Sequence, residues 1–436
     1  MSRSINLSKV IVLALALRLV LALTPLPALL AHRPELATVL TSSYAAKEAV
    51  SITTSPSSSS SWSSSLWATF FSSGTLDSAS FSPLSVLYSG NSTAPVHFPP
   101  LLLLALKGLA ATTSPSMPAL LPHFALIALA SLADVVAALA LADAGSLMVG
   151  VALSPDLLAA LYLLNPLSLL TALAGSLAPL SNAAVVVALA AALRRRVILA
   201  TAALASAIYL AVAPYTLVLG LGMVLSKTTG ISCGRGLALA AAGTAAWLAV
   251  FALASTALAS GSWAWLKVAY GPIVGFSALR PNVGIGWYLH TEMFEHFRTF
   301  FQACFHGYAA IFALPLTLRF AASPVYLYTL LAGVAATFRP YPQMADMATY
   351  LAIAALHAAL VPRMRYAFLT LNLMIFACAV LFTFWRVWVV LEVGNANFLN
   401  NANLVYCMAN VWFLLDFVYA KAEAEATMAT ASPHKA

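Results

Sequence analysis

Residues 237–260 read LALAAAGTAAWLAVFALASTALAS. No Asp, Glu, Lys or Arg interrupts them, and the run exceeds the roughly 20 apolar residues that carry an α-helix across a bilayer. Lys227 and Arg235 stand just before it, where basic residues anchor the cytosolic end of a membrane span. The same reading repeats along the chain. Apolar runs fall near 10–30, 99–113, 118–142, 156–176, 182–193, 197–225, 237–260, 263–277, 293–317, 322–337, 344–361, 366–391 and 401–420. Those at 182–193 and 263–277 are short for a full crossing and read as re-entrant or broken helices. The spacing predicts an all-α integral membrane protein, a polytopic bundle of about 10–12 transmembrane helices.

Composition supports the same class. Of 436 residues, 62% are hydrophobic and 8% charged, against about 25% charged in a soluble domain. A chain so poor in charge cannot cover a soluble surface. Net charge is +8, but the basic residues sit in short clusters: Arg3 with Lys9, Arg194-Arg195-Arg196, and Lys227 with Arg235. They anchor topology. No basic stretch is interleaved with aromatics, so no nucleic acid is expected as a partner. Cys233, Cys304, Cys378 and Cys407 are far apart. Their spacing suits neither a metal nor a disulfide framework, and they read as small apolar packers.

The chain divides into four stretches. Residues 1–30 read as an N-terminal transmembrane helix that follows Arg3 and Lys9, which places the N-terminus in the cytosol. The alternative is a cleaved signal peptide, but Arg18 interrupts the run and no small-residue cleavage site follows. Residues 31–98 form a luminal loop region with a Ser-rich patch, Ser55 to Ser65, and the sequon Asn91-Ser92-Thr93, a possible N-glycosylation site. Residues 99–420 are the multi-pass helical domain, and 421–436 a short cytosolic tail. No internal repeat is visible, which argues against an inverted-repeat transporter.

Polar residues at membrane depth are costly, so each interruption is a candidate site. In Pro281-Asn282-Val-Gly284-Ile-Gly286-Trp287-Tyr288 the chain is extended before a helix begins. Glu292, Glu295 and His296 then follow at i, i+3 and i+4, predicting one shared helical face. Such a face suits head-group binding or interfacial anchoring, and less readily a metal or acid–base chemistry; no metal site is expected. Asn395, Asn397, Asn400, Asn401 and Asn403 crowd a second segment. Asn side chains there suit sugar hydroxyls or a phosphate ester, or else a turn that caps the next helix. Asn165-Pro166 reads as a structural kink. His97, before a membrane entry, is either a head-group contact or a solvated loop histidine.

These segments together resemble a known family. Tyr162-Leu-Leu-Asn165-Pro166, Pro281-Asn282-Val-Gly284, Trp287-Tyr288, Glu292-Met-Phe294-Glu295-His296-Phe297, Tyr341-Pro342 with Asp346, and Gly394-Asn395-Ala-Asn397-Phe398 occur in that order. The chain is similar to the PIG-U family, the U subunit of the glycosylphosphatidylinositol (GPI) transamidase. Around Tyr88 the first loop departs from the family pattern. The resemblance implies a multi-pass protein of the endoplasmic reticulum membrane, without a cofactor. It implies a membrane fold resembling the GT-C dolichol-phosphate-mannose-dependent glycosyltransferases. It also implies a non-catalytic subunit that recognises or presents the GPI lipid. The partners would be a caspase-like catalytic subunit (PIG-K), PIG-T, PIG-S and a metallopeptidase-like subunit. Asn282, Trp287, Tyr288, Glu292, Glu295, His296, Asn395, Asn397, Phe398 and Asn400 are the expected rim for the lipid head group.

The competing reading is a glycosyltransferase using a dolichol-phosphate-sugar donor. Such an enzyme needs a luminal carboxylate as base or metal holder. After the first helix the chain offers only Glu35 and Glu48, thirteen residues apart, with Asp77 standing alone. No catalytic residue is therefore expected.

Overall fold

The computed structural model describes residues 6–53, 97–113 and 123–430. The Ser55–Ser65 patch, Asp77, Tyr88, the Asn91 sequon and residues 431–436 lie outside the described residues. Within them the chain is helical, with no β-strand. The helices are α1 Leu7–Ala22, α2 Leu26–Leu30, α3 Ser43–Thr53, α4 Pro100–Thr113, α5 His123–Leu147, α6 Pro155–Leu163, α7 Pro166–Leu173, α8 Ala178–Leu193 and α9 Val197–Ala211. There follow α10 Leu217–Thr229, α11 Cys233–Leu258, α12 Ala264–Gly275, α13 Gly286–Glu292, α14 Glu295–Phe320, α15 Pro324–Phe338, α16 Met344–Ala354, α17 Ala367–Trp385 and α18 Ala396–Thr430. Among the described residues, six helical segments are long and apolar enough to cross a bilayer, one of them α16 with its continuation to Arg363, or seven if a bent pair is one span, and four shorter helices are also apolar. This is an all-α polytopic membrane protein.

The run at 182–193 lies in α8, one helix of 16 residues without a break. The break comes earlier, between α6 and α7, which meet at 49°. Asn165 and Pro166 make it. Pro166 has no N–H and occupies the first helical position of α7, while Asn165 Oδ1 accepts from Leu167 N at 2.9 Å. Ser168 Oγ donates to the Tyr162 carbonyl at 2.7 Å, so the interrupted ladder leaves that acceptor satisfied. Elsewhere small residues bring helices together. A Cβ on Gly236 of α11 would lie 2.5 Å from the Gly222 carbonyl oxygen of α10, so only glycine permits that backbone approach.

Arg18 does more than interrupt an apolar run. It is 2% exposed, and its Nη2 lies 2.9 Å from Oδ2 of Asp134 in α5, itself 1% exposed. Tyr162 of α6 donates to Asp134 Oδ1 at 3.1 Å. One buried charge pair thus pins the first helix to two others.

Helix ends sort into two groups. At one end Arg194 pairs with Asp143, Arg319 Nη2 lies 2.8 Å from Glu425 Oε2, and Thr228 Oγ1 donates to the Ala192 carbonyl at 3.1 Å. At the other, Leu177 N donates to Thr41 O at 2.9 Å and Met344 N to Glu35 O at 3.0 Å. Gln343 Oε1 there accepts from Thr41 Oγ1 at 3.1 Å and Ser176 Oγ at 3.2 Å. Arg33 Nη1 donates to the Phe382 carbonyl near the end of α17 at 2.9 Å. The Arg194–Arg196 cluster marks the first end; the candidate site lies at the second.

Candidate functional site

The two polar segments picked out in the sequence meet. Asn403, in the second turn of α18, is fully buried, and its Nδ2 donates to the carbonyls of Asn282 (2.9 Å) and Gly284 (3.2 Å). Asn282 is itself buried, and its Oδ1 accepts from Gly284 N at 2.7 Å. This closes a tight turn before α13, and Tyr288 on α13 then donates to Asn397 Oδ1 of α18. Trp287 is buried and stacks on Trp388 with centroids 6.2 Å apart. Trp388 belongs to a π-helical turn, Arg386–Val390, that extends α17.

Asn395 sits just before α18, where its Oδ1 accepts from Asn397 N at 3.0 Å. That is helix capping. Its remaining polar atoms, with Asn397 and Phe398, face outward, for all three residues are exposed and Asn400 is half-buried. The arrangement is a rim with a buried frame of Asn282, Trp287 and Asn403. Its outer edge is Tyr288, Asn395, Asn397, Phe398 and Asn400.

Glu292, Glu295 and His296 do not share a helical face. Helix α13 ends at Glu292, Met293 is extended (φ −77, ψ 139), and α14 starts at Glu295. Met293 N still closes the first helix by donating to Leu289 O at 3.0 Å. Arg298 Nη2 donates to the His290 carbonyl at 3.3 Å, satisfying a group that a continuous helix would have bonded itself. Glu295 then falls in the first turn of α14, where a negative charge suits the helix dipole. All three side chains are exposed. His290, absent from the expected set, is fully buried, stacks on Phe276 at 4.4 Å, and is held by the Gly286 carbonyl at 2.8 Å. No group of three His, Cys, Asp or Glu among the described residues is placed to hold a metal ion.

Glu35 lies in the loop after α2, 1% exposed, with neither carboxylate oxygen hydrogen-bonded. Burial pushes its pKa from 4.5 up to about 7, against the pull of its own backbone and of Arg33, whose Nη1 is 3.9 Å away. Arg33 in turn lies over the Trp385 ring at 4.5 Å. The folded state therefore holds an extra proton between pH 4.5 and about 7, so stability falls as pH rises through that window and levels off above it. Glu35→Gln is expected to abolish this slope and, at pH 8, to raise stability by about 3 kcal/mol, at about 1.36 kcal/mol per pKa unit. Detergent unfolding curves between pH 4 and 8 check it.

The profile of a family described as "GPI transamidase subunit PIG-U" matches residues 83–406. The chain belongs to the PIG-U family. It is 32% identical over 262 residues to the GPI transamidase component GAB1 of Saccharomyces cerevisiae, covering 60% of this chain and 65% of that protein. It is 33% identical over 175 residues to the GAB1 homolog of Schizosaccharomyces pombe, covering 39% and 43%. Over 280 residues it is 27% identical to the GPI-anchor transamidase component PIGU of Homo sapiens, covering 61% and 62%. The matched segments thus span less than two thirds of each of these relatives. The rim segments, Asn282–His296 and Asn395–Asn403, all fall within the family match; Arg18, Glu35 and the end of α18 fall outside it.

Proposed function

We propose that this chain is a non-catalytic subunit of a GPI transamidase, seated in the endoplasmic reticulum membrane, that recognises and presents the GPI lipid and scaffolds the complex. Its partners on this reading are a caspase-like catalytic subunit (PIG-K), PIG-T, PIG-S and a metallopeptidase-like subunit. The observation that carries the reading is the rim formed by Tyr288 and Asn397. It lies at the end of the bundle opposite the Arg194–Arg196 cluster. Basic clusters stay cytosolic, so the rim faces the lumen, where a GPI glycan resides.

Below the rim, α18 offers a stripe of exposed side chains, Leu404, Met408 and Leu415, spaced as one helical face. A lipid seated there would lay its chains along the stripe and its glycan against Asn395, Asn397 and Asn400. Chains already in a bilayer gain little from such a wall, so selection rests on hydrogen bonds to the head group. Holding the lipid amine near an acyl-enzyme on a partner subunit accelerates attack through proximity. The glycosyltransferase reading is the weaker one. Glu35 is sealed from any donor and clasped beside Arg33, which suits structure better than a general base. Enzymatic turnover of a dolichol-phosphate sugar that Glu48→Gln abolishes would favour it instead.

Asn397→Ala tests the proposal. Losing one or two hydrogen bonds of about 1 kcal/mol each is expected to cut GPI attachment about 5- to 30-fold. Assembly, read by co-purification of the caspase-like subunit, stays intact. Unchanged attachment would sink the proposal.

A further inference from the structure

Two concavities adjoin at the same end of the bundle, behind the rim. The inner one is lined by Asn182, Asp346, Thr349 and Tyr350 and is small, with ≈ 30 Å³ open to water-sized groups. The outer one, ≈ 40 Å³ on the same measure and open at its mouth, is lined by Tyr215, Ile273, Phe305, His306, Ala309 and Phe338. Arg339, Ala213 and Ala335 line both, so the guanidinium stands at the neck. Its Nη1 lies 2.7 Å from Asp346 Oδ1, with Arg339 11% and Asp346 4% exposed. Asp346 lines only the inner chamber, where its Oδ2 also accepts from Gln343 N at 3.0 Å. Along the outer chamber runs Val212, at φ 57. A β-branched residue in the left-handed region is strained, and such strain gathers at ligand sites and switches.

We infer that these chambers bind the head group of an amine-bearing phospholipid, its phosphate on Arg339 in the outer chamber and its ammonium toward Asp346 in the inner one. A lone anion is a poor fit, because Asp346 already neutralises the guanidinium. A neutral zwitterion alternates with the pair, so every charge meets two of opposite sign and no net charge is buried. Arg has five donors; Asp346 engages Nη1, and the rest of the fork suits a phosphate. The order is also right. Such a lipid runs tail, phosphate, amine, and the site runs outer chamber with Phe305 and Phe338 in its wall, guanidinium, carboxylate. Phe305, Phe338 and Ala309 would flank the emerging chains. At the mouth the polar groups are already engaged, His306 Nε2 with the Val274 carbonyl at 2.8 Å and Tyr215 with the His306 carbonyl at 3.3 Å. Arg339 is therefore left as the anchor. The inference is independent of the rim and of its lipid.

The test uses the full-length chain, purified with the subunits that accompany it and stripped of lipid in detergent. It is then exposed to vesicles carrying phosphatidylethanolamine or phosphatidylglycerol, and retained lipid is counted by native mass spectrometry. The native protein is expected to hold one phosphatidylethanolamine, at least about tenfold more tightly than phosphatidylglycerol. Arg339→Gln with Asp346→Asn removes both charges together and should abolish that preference. Ala309→Leu fills the outer chamber without touching the ion pair, so it keeps the test decisive if the double variant fails to fold; it should lose the lipid. Equal retention by Ala309→Leu, or equal binding of the two lipids, overturns the inference. Displacement by inorganic phosphate alone would assign the site to free phosphate and overturn the lipid.

Discussion

Arg18→Leu is expected to cost about 3–5 kcal/mol, a large share of the roughly 5–15 kcal/mol that holds a protein folded. Breaking a buried pair strands the remaining charge. Asp134 would keep one hydrogen bond, from Tyr162, and lose its cation in a site 1% exposed. The cost comes from the stranded charge rather than from a missing contact, and a second substitution separates the two. Arg18→Leu with Asp134→Leu replaces the pair by apolar groups, an exchange that is often neutral or better. It should recover most of the loss. The monodisperse fraction in detergent and its midpoint of thermal unfolding measure both variants. A single variant as stable as the native chain would contradict the role given to the pair.

Gly284→Ala is the second large effect, and it falls on the rim. The added Cβ would lie 2.7 Å from Pro342 Cδ and 2.9 Å from Asn282 Oδ1. Pro342 is a ring that cannot swing aside, and Asn282 is held by its bond to Gly284 N. Overpacking of this kind costs about 1–3 kcal/mol. The strain is relieved most readily by moving the turn away from α18, which breaks the Asn403 and Asn397 contacts together. Attachment should therefore fall further than in Asn397→Ala, and amides 284–290 should exchange faster with deuterium. Native exchange rates in that segment would show that the turn does not set the rim.

Membrane embedding and the all-helical class were legible because they need only runs of apolar side chains and the scarcity of charge. The kink at Asn165-Pro166 was legible too, since proline removes a ladder donor whatever surrounds it. The meeting of the two Asn segments was not. Asn403 reaches Asn282 across 121 positions, and nothing local in either segment states the pairing. Arg18 and Asp134 are 116 apart; each sits in an otherwise apolar run, and that pair of isolated charges was the available signal. The break at Met293 was hidden for another reason. No Pro or Gly lies between Glu292 and Glu295, so local propensity gave no stop. The helix ends there with Arg298 bonding the freed His290 carbonyl, and three residues that share a face on paper are divided between two helices.

Photocrosslinking from the rim tests the central claim most directly. A diazirine-bearing residue at position 397, in the assembled complex in microsomes, is predicted to label GPI lipid, whereas one at position 195, in the Arg194–Arg196 turn at the opposite end, is not. A crosslink from position 397 only to protein subunits would show that the rim is a docking surface and contradict the account.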